Sequence, residues 1–82
     1  MRFLLYPITT EKAVKLVEME NKIVFVVEKR AKKEEIKKEI EKEFKVEVEN
    51  INSQIVKGKK VAFIKLKSKY VASDIATKLG ML

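Results

Sequence analysis

The chain has 82 residues and a mass of 9.5 kDa, which sets it at the size of one domain, residues 1–82. Apolar residues make up 46% and charged residues 38%, so there is material for a core and wholesale disorder is excluded. There is no cysteine and no histidine, which removes disulfides, Cys/His metal sites, thiol catalysis and a histidine general base. No apolar run approaches the roughly 20 residues of a transmembrane helix, and MRFLLYPITTEK does not read as a secretory signal. The expectation is a soluble cytoplasmic protein with no direct membrane insertion.

Nineteen Lys and Arg stand against twelve Asp and Glu, a net charge of +7. The distribution is uneven. Residues 1–27 hold four bases and three acids, and residues 28–50 hold eight of each. Residues 51–82 hold seven lysines and one acid, Asp74, so +6 of the +7 lies there. A field concentrated in that way attracts polyanions.

Few Gly and Pro residues mean few loops, and the predicted elements nearly tile the chain. Residues 2–6 read as a short strand ended by Pro7. Thr9 is the expected N-cap of a helix of about ten residues carrying Ala13, Val14, Leu16 and Val17, with Glu11 favoured in its first turn. Glu20-Asn21 signals a turn. Ile23 to Val27 is an unbroken apolar run, the mark of a strand covered on both faces. Residues 31–44 form an amphipathic helix whose stripe is Ile36, Ile40 and Phe44. Equal numbers of acids and bases make that helix a solvated lid and not the anion-binding face.

Val46 and Val48 alternate with glutamates as in a strand, but Ile51, Ser53 and Ile55 fall on the opposite parity. A β-bulge near residues 49–51 repairs the register. Residues 57–60 read as a turn of about four residues. Residues 61–67 form the return strand, with Ala62, Ile64 and Leu66 on one face and Val61, Phe63, Lys65 and Lys67 on the other. Val71, Ala72, Ile75, Ala76 and Leu79 fit a last helix, with Lys78 at its end and Gly80 at C′. The order β-α-β-α-β-β-α contains a split βαβ unit, with two parallel strands leaving room for an antiparallel one between them.

For catalysis the inventory is poor. Asp74 sits at a predicted helix start, where capping explains it. Glu34, Glu35, Glu39, Glu41 and Glu43 lie on a charged helix and read as solvation. No serine has a histidine to activate it, and Lys57-Gly58-Lys59 lacks the rest of a P-loop. The chain therefore reads as a non-enzyme with no cofactor, no metal and no small-molecule substrate.

Nucleic-acid binding fares better. Lys57, Lys59, Lys60, Lys65, Lys67 and Lys69 cluster on one hairpin and its exit, an array suited to a phosphate backbone. Asn50, Asn52 and Gln54 alternate along the preceding strand and offer amide groups to riboses, phosphates or base edges. The competing explanations are an Asn that satisfies a bulge and lysines that keep an edge from aggregating. Residues 60–66 echo the third strand of an RNA-recognition motif, but Phe63 is the one aromatic where several stacking rings are wanted. A free basic RNA- or DNA-binding protein is the alternative function.

YPITTEKA, NKIVFVVEKRAKKEEIKKEIEKEF, VENINSQIVKGKKVAFIKL and DIATKLGML follow one another in this order. Together they resemble the archaeal branch of the universal large-subunit ribosomal protein twenty-three family. Ile51-Asn52-Ser53 stands for the family's Val-Asn-Thr, and Val71 stands where the family pattern has a capping Asp, which leaves the start of the last helix open. The resemblance implies an α+β, ferredoxin-like split β-α-β fold: a three-layer α/β/α sandwich with a mostly antiparallel four-stranded sheet in order 1-2-4-3. It implies a place in the large ribosomal subunit, binding to large-subunit rRNA at the rim of the polypeptide exit tunnel, and contact with ribosomal protein twenty-nine. It also implies a docking surface for the signal recognition particle and the protein-conducting channel, carried by the Thr10-Glu11-Lys12 motif. That surface is expected on a different side of the domain from the RNA-binding hairpin. The long hairpin extension of bacterial members looks absent.

Overall fold

A computed structural model describes residues 2–80. Its elements follow the expected order: β1 (Leu4–Pro7), α1 (Glu11–Glu20), β2 (Lys22–Val27), α2 (Lys33–Phe44), β3 (Val48–Val56), β4 (Lys59–Leu66) and α3 (Ala72–Lys78). The four strands form one sheet in order β1-β2-β4-β3, and every neighbouring pair is antiparallel. β2 and β3 run the same way with β4 between them, the split βαβ arrangement.

β2 decides the layering. Ile23, Val24, Phe25, Val26 and Val27 are all buried, so over these five residues neither face of the strand meets water. On one face Val24 clusters with Val61 and with Ala13 of α1, and Ile8, Leu16 and Phe63 pack against them. On the other face Ile23, Phe25 and Val27 join Ala62, Ile64, Leu66, Ile51 and the α2 residues Ile36 and Ile40. Phe44 completes the α2 stripe as a half-buried neighbour of that cluster. α3 touches α1 and β2 and adds Ala72, Ile75 and Ala76 to the second cluster. The result is a helix–sheet–helix sandwich of the α+β, ferredoxin-like type.

Several boundaries differ from the expectation, each for a visible reason. β1 begins at Leu4 because the N–H groups of Arg2, Phe3 and Leu4 converge on the carboxylate of Glu39 in α2, the last two at 2.9 and 2.7 Å. Pro7 closes the strand opposite Phe25, and Ile8 N–H resumes bonding at 2.9 Å to the Val24 carbonyl. The N-cap of α1 is Thr10 and not Thr9; Thr10 Oγ1 accepts from Ala13 N–H at 3.3 Å. α2 starts two residues late because Lys32 is its N-cap, its N–H given to Glu35 Oε1 at 2.8 Å, while Ala31 is buried in the preceding turn. Glu35, Glu39 and Glu41 (which accepts from Val48 N–H at 3.0 Å) thus bond backbone and are not simple solvation.

The bulge is where the register slip places it. Val48 faces Leu66 and Asn50 faces Lys65, so Glu49 is the extra residue and Ile51 returns to the core face. The β3–β4 turn has two residues and not four: Lys57 at φ 51° and Gly58 at φ 77°. Two consecutive left-handed residues give the mirror-image turn whose twist matches the flanking strands.

Asn21 solves the start of α3. Val71 is the N-cap and its side chain makes no cap bond. Instead Asn21 Oδ1 accepts from Ala72 N–H at 2.7 Å, while Asn21 Nδ2 donates to the carbonyls of Tyr70 at 2.8 Å and Leu66 at 3.3 Å. Asn21 is also the left-handed C-cap of α1, at φ 56°. A residue that suits this backbone and carries both a donor and an acceptor is needed, and asparagine fits.

Asn21→Gly keeps the left-handed backbone accessible and removes the side-chain bonds; urea unfolding should show a loss of about 1–3 kcal/mol. Asn21→Ala should lose about 1 kcal/mol more, because alanine resists positive φ. Equal stability of Asn21→Gly and the parent chain would show that the three carbonyl and amide contacts contribute nothing.

Candidate nucleic-acid interface

The antiparallel pairing sets Asn50 opposite Lys65, Asn52 opposite Phe63, Gln54 opposite Val61 and Val56 opposite Lys59. Strand alternation puts all eight on one face of the sheet. α1 covers the β2 side of that face and leaves the β3 side open. Asn50, Asn52 and Gln54 are exposed there, and none has a side-chain hydrogen bond among the described residues. Next to the bulge the Val48 N–H goes to Glu41 and not to one of these amides. Phe63 is half-buried in the α1-facing cluster, so its ring is core and not a stacking platform.

The six lysines do not form one array. Lys57 sits at the turn, exposed. Lys59 Nζ donates to Tyr6 Oη at 3.0 Å and lies 5.7 Å from the centre of that ring; the tyrosine pushes the ammonium pKa up. Lys60 points to the opposite face, where its Nζ donates to the Ala31 carbonyl at 2.6 Å. Lys65 lies 3.5 Å from the bulge residue Glu49. Lys67 and Lys69 stand beyond the far end of β4, at 3.2 and 2.5 Å from the Glu47 carboxylate. Alternation along a strand divides a lysine run between two faces, and chain order alone does not reveal the acid that meets each one.

Glu47 therefore neutralises the far end of the array. Hydrogen bonds from Lys69, Lys67 and Tyr70 Oη (3.1 Å) hold its carboxyl at about 2, well below the usual range, against a small opposing effect of desolvation. Glu39 is pushed up by partial burial, but the N–H groups of Phe3, Arg2 and Leu4 outweigh that and leave its pKa lowered. Among the described residues no group of three or more Asp or Glu is placed to hold a metal ion.

Thr10 and Lys12 line a groove of about 190 Å³ whose other wall is Gln54 and Val56 and whose floor includes Val24, Val61 and Phe63. Glu11 is exposed in the first turn of α1. The two candidate sites were expected on different sides of the domain. They instead adjoin on one sheet face, because α1 stops short of β3 and its N-terminal turn looks across the gap. Tyr6 is the neighbour that residue type and spacing did not single out. It lies on β1, and only the sheet order brings it near the hairpin.

With this geometry in place, comparison with known proteins settles the family. The sequence model of the family described as Ribosomal protein L23 matches residues 2–76. The chain is 49% identical over 76 residues to the large ribosomal subunit protein uL23 of Methanococcus vannielii, covering 92% of this chain and 88% of that one. The chain belongs to the ribosomal protein L23 family. Membership makes it a ribosomal protein with a structural and not an enzymatic role, and the archaeal relative agrees with the branch that its motifs resemble.

The Glu47 cluster gives a measurable signature. Its folded pKa of about 2 lies below the ordinary value of 4.5, so its contribution to stability is present above pH 4.5 and is lost as the pH falls toward 2. Carboxyl-detected NMR titration should place the Glu47 midpoint near 2, and Lys69→Gln should raise it. A midpoint in the ordinary carboxylate range would mean that the lysines are released in solution.

Proposed function

We propose that the chain folds and acts as a single rRNA-binding domain in the large ribosomal subunit of the cytoplasm, at the rim of the polypeptide exit tunnel. The observation that carries this reading is the family match together with an open sheet face on which Asn50, Asn52 and Gln54 lie beside Lys59 and Lys65. Large-subunit rRNA supplies the phosphates. Lys57 and Lys59 at the turn meet the backbone, Lys60 stands on the other side of the same turn, and the amides read riboses or base edges. Lys67 and Lys69 serve at the far end only as far as a phosphate displaces Glu47.

The same reading makes ribosomal protein twenty-nine a neighbour. It makes Thr10, Glu11 and Lys12 part of a docking site for the signal recognition particle and the protein-conducting channel. The exposure of Glu11, with its neighbours Thr10 and Lys12 lining the groove, supports that role. A purely local role for Glu11 is a favourable charge at a helix N-terminus, typically about 0.3–1 kcal/mol.

Binding of the chain to a large-subunit rRNA fragment should weaken steeply with salt. Replacing Lys57 and Lys59 together with Gln should lower the affinity and reduce the log–log salt slope by about 0.7–0.9 for each lost phosphate contact. Gln at Lys37, Lys38 and Lys42 should do far less. If affinity and slope survive the loss of Lys57 and Lys59, the turn does not meet RNA. For docking, Glu11→Lys should leave folding and subunit assembly intact and weaken the affinity of mutant ribosomes for the signal recognition particle at low salt. Unchanged affinity would leave Glu11 as a helix-end residue.

A further inference from the structure

We propose that the turn at residues 28–32, between β2 and α2, and the Lys57–Gly58 turn form the two walls of one clamp for an RNA phosphate backbone, with Lys29 and Arg30 on one wall and Lys57 and Lys59 on the other. The proposal rests on the rRNA-binding reading above and adds a second chain segment to the interface.

The topology brings the walls together. Val27, the last residue of β2, pairs with Lys60 near the start of β4, so the turn that leaves β2 and the turn that enters β4 emerge side by side. The bond from Lys60 Nζ to the Ala31 carbonyl ties one to the other, and Ala31 is itself buried in the core. Between them lies a cleft of about 260 Å³ with Glu28 and Lys29 on one rim and Gly58, Lys59 and Lys60 on the other. Its floor is Leu5, Val26 and Val27.

Charge complementarity names the occupant. The middle of the sequence is neutral only on average: residues 28–33 hold four bases and one acid, and residues 34–50 hold four bases and seven acids. Folding engages three of those acids with groups other than the lysine and arginine side chains of the turn or carries them away from it. Glu35 and Glu39 are engaged by the backbone N–H groups of Lys32 and of Phe3 and Leu4, and Glu47 by Lys67 and Lys69 at the other end of β4. Lys29 and Arg30 are exposed and enter no ion pair among the described residues. Glu28 is the one acid on the cleft rim. Arginine's planar fork suits phosphate oxygens, and the apolar floor beside Tyr6 suits a sugar or base face better than it suits a carboxylate-rich protein.

The test is binding of the full chain to a transcript of the large-subunit rRNA of Methanococcus vannielii over a series of salt concentrations. K29Q/R30Q should bind on the order of tenfold more weakly near physiological salt, and its log–log slope should fall by about 1.4–1.8, the share of two phosphate contacts. K29R/R30K, which keeps both charges, should retain the parent slope, and K37Q/K38Q should match the parent chain. Circular dichroism confirms that each variant is folded. If K29Q/R30Q retains the parent affinity and slope while K57Q/K59Q loses both, the clamp has one wall and the proposal falls, with the rRNA-binding reading intact. A slope lost equally in K29R/R30K would overturn it too, since charge would not be the cause. If the parent chain shows no salt-dependent binding to the transcript, the rRNA-binding reading itself fails, and the clamp with it.

Discussion

β2 has no polar face, and the architecture follows from that. Five consecutive buried apolar residues have to be covered from above and below. α1 supplies one cover through Ala13 and Leu16, and α2 supplies the other through Ile36 and Ile40. Among the described residues no further helix of comparable size covers β3 on the α1 side. The strand farthest from β2 is therefore left open on one face. The need to bury β2 and the availability of an amide-lined surface on β3 are two sides of one constraint.

The parts of the fold that depend on a repeating pattern were legible in the sequence. The apolar run of β2, the stripe of α2 and the parity slip at Glu49 each have one physical solution, and each is found. The parts that depend on a single polar contact between distant segments were not. Asn21 reads as a turn residue, yet it caps a helix that begins 51 residues later, because the ends of α1 and β4 meet at that point. Glu39 reads as solvated, yet it gathers the N–H groups that begin the first strand. Such contacts leave no period in the sequence.

The candidate interface was legible in composition more than in geometry. The excess of lysine after residue 50 and the Asn-x-Asn-x-Gln alternation pointed to one hairpin, and the structure places those amides together on one open sheet face. Alternation then sent Lys59 and Lys60 to opposite faces, and Glu47 took up Lys67 and Lys69. Averaging charge over residues 28–50 concealed a basic stretch followed by an acidic one, several of whose carboxylates the fold ties to backbone N–H groups or to other lysines. Net charge over a window predicts a field only when the window's residues stay together in space.

β3 is also the last strand of its sheet, and its outer N–H and C=O groups have no strand beside them. Ile55 and Val56, near its end, are exposed. An edge strand of this kind can pair with a second copy of itself, and long unpaired edges are where sheet proteins stick together. The bulge at Glu49 interrupts the pairing template near one end of β3, and the lysine at the turn marks the other with charge. Between them Asn50, Asn52 and Gln54 make most of the open face polar, which limits the apolar surface a copy could bury to the end carrying Ile55 and Val56. A bulge, a charged turn and a row of amides thus each disfavour pairing of this edge with another copy of the chain.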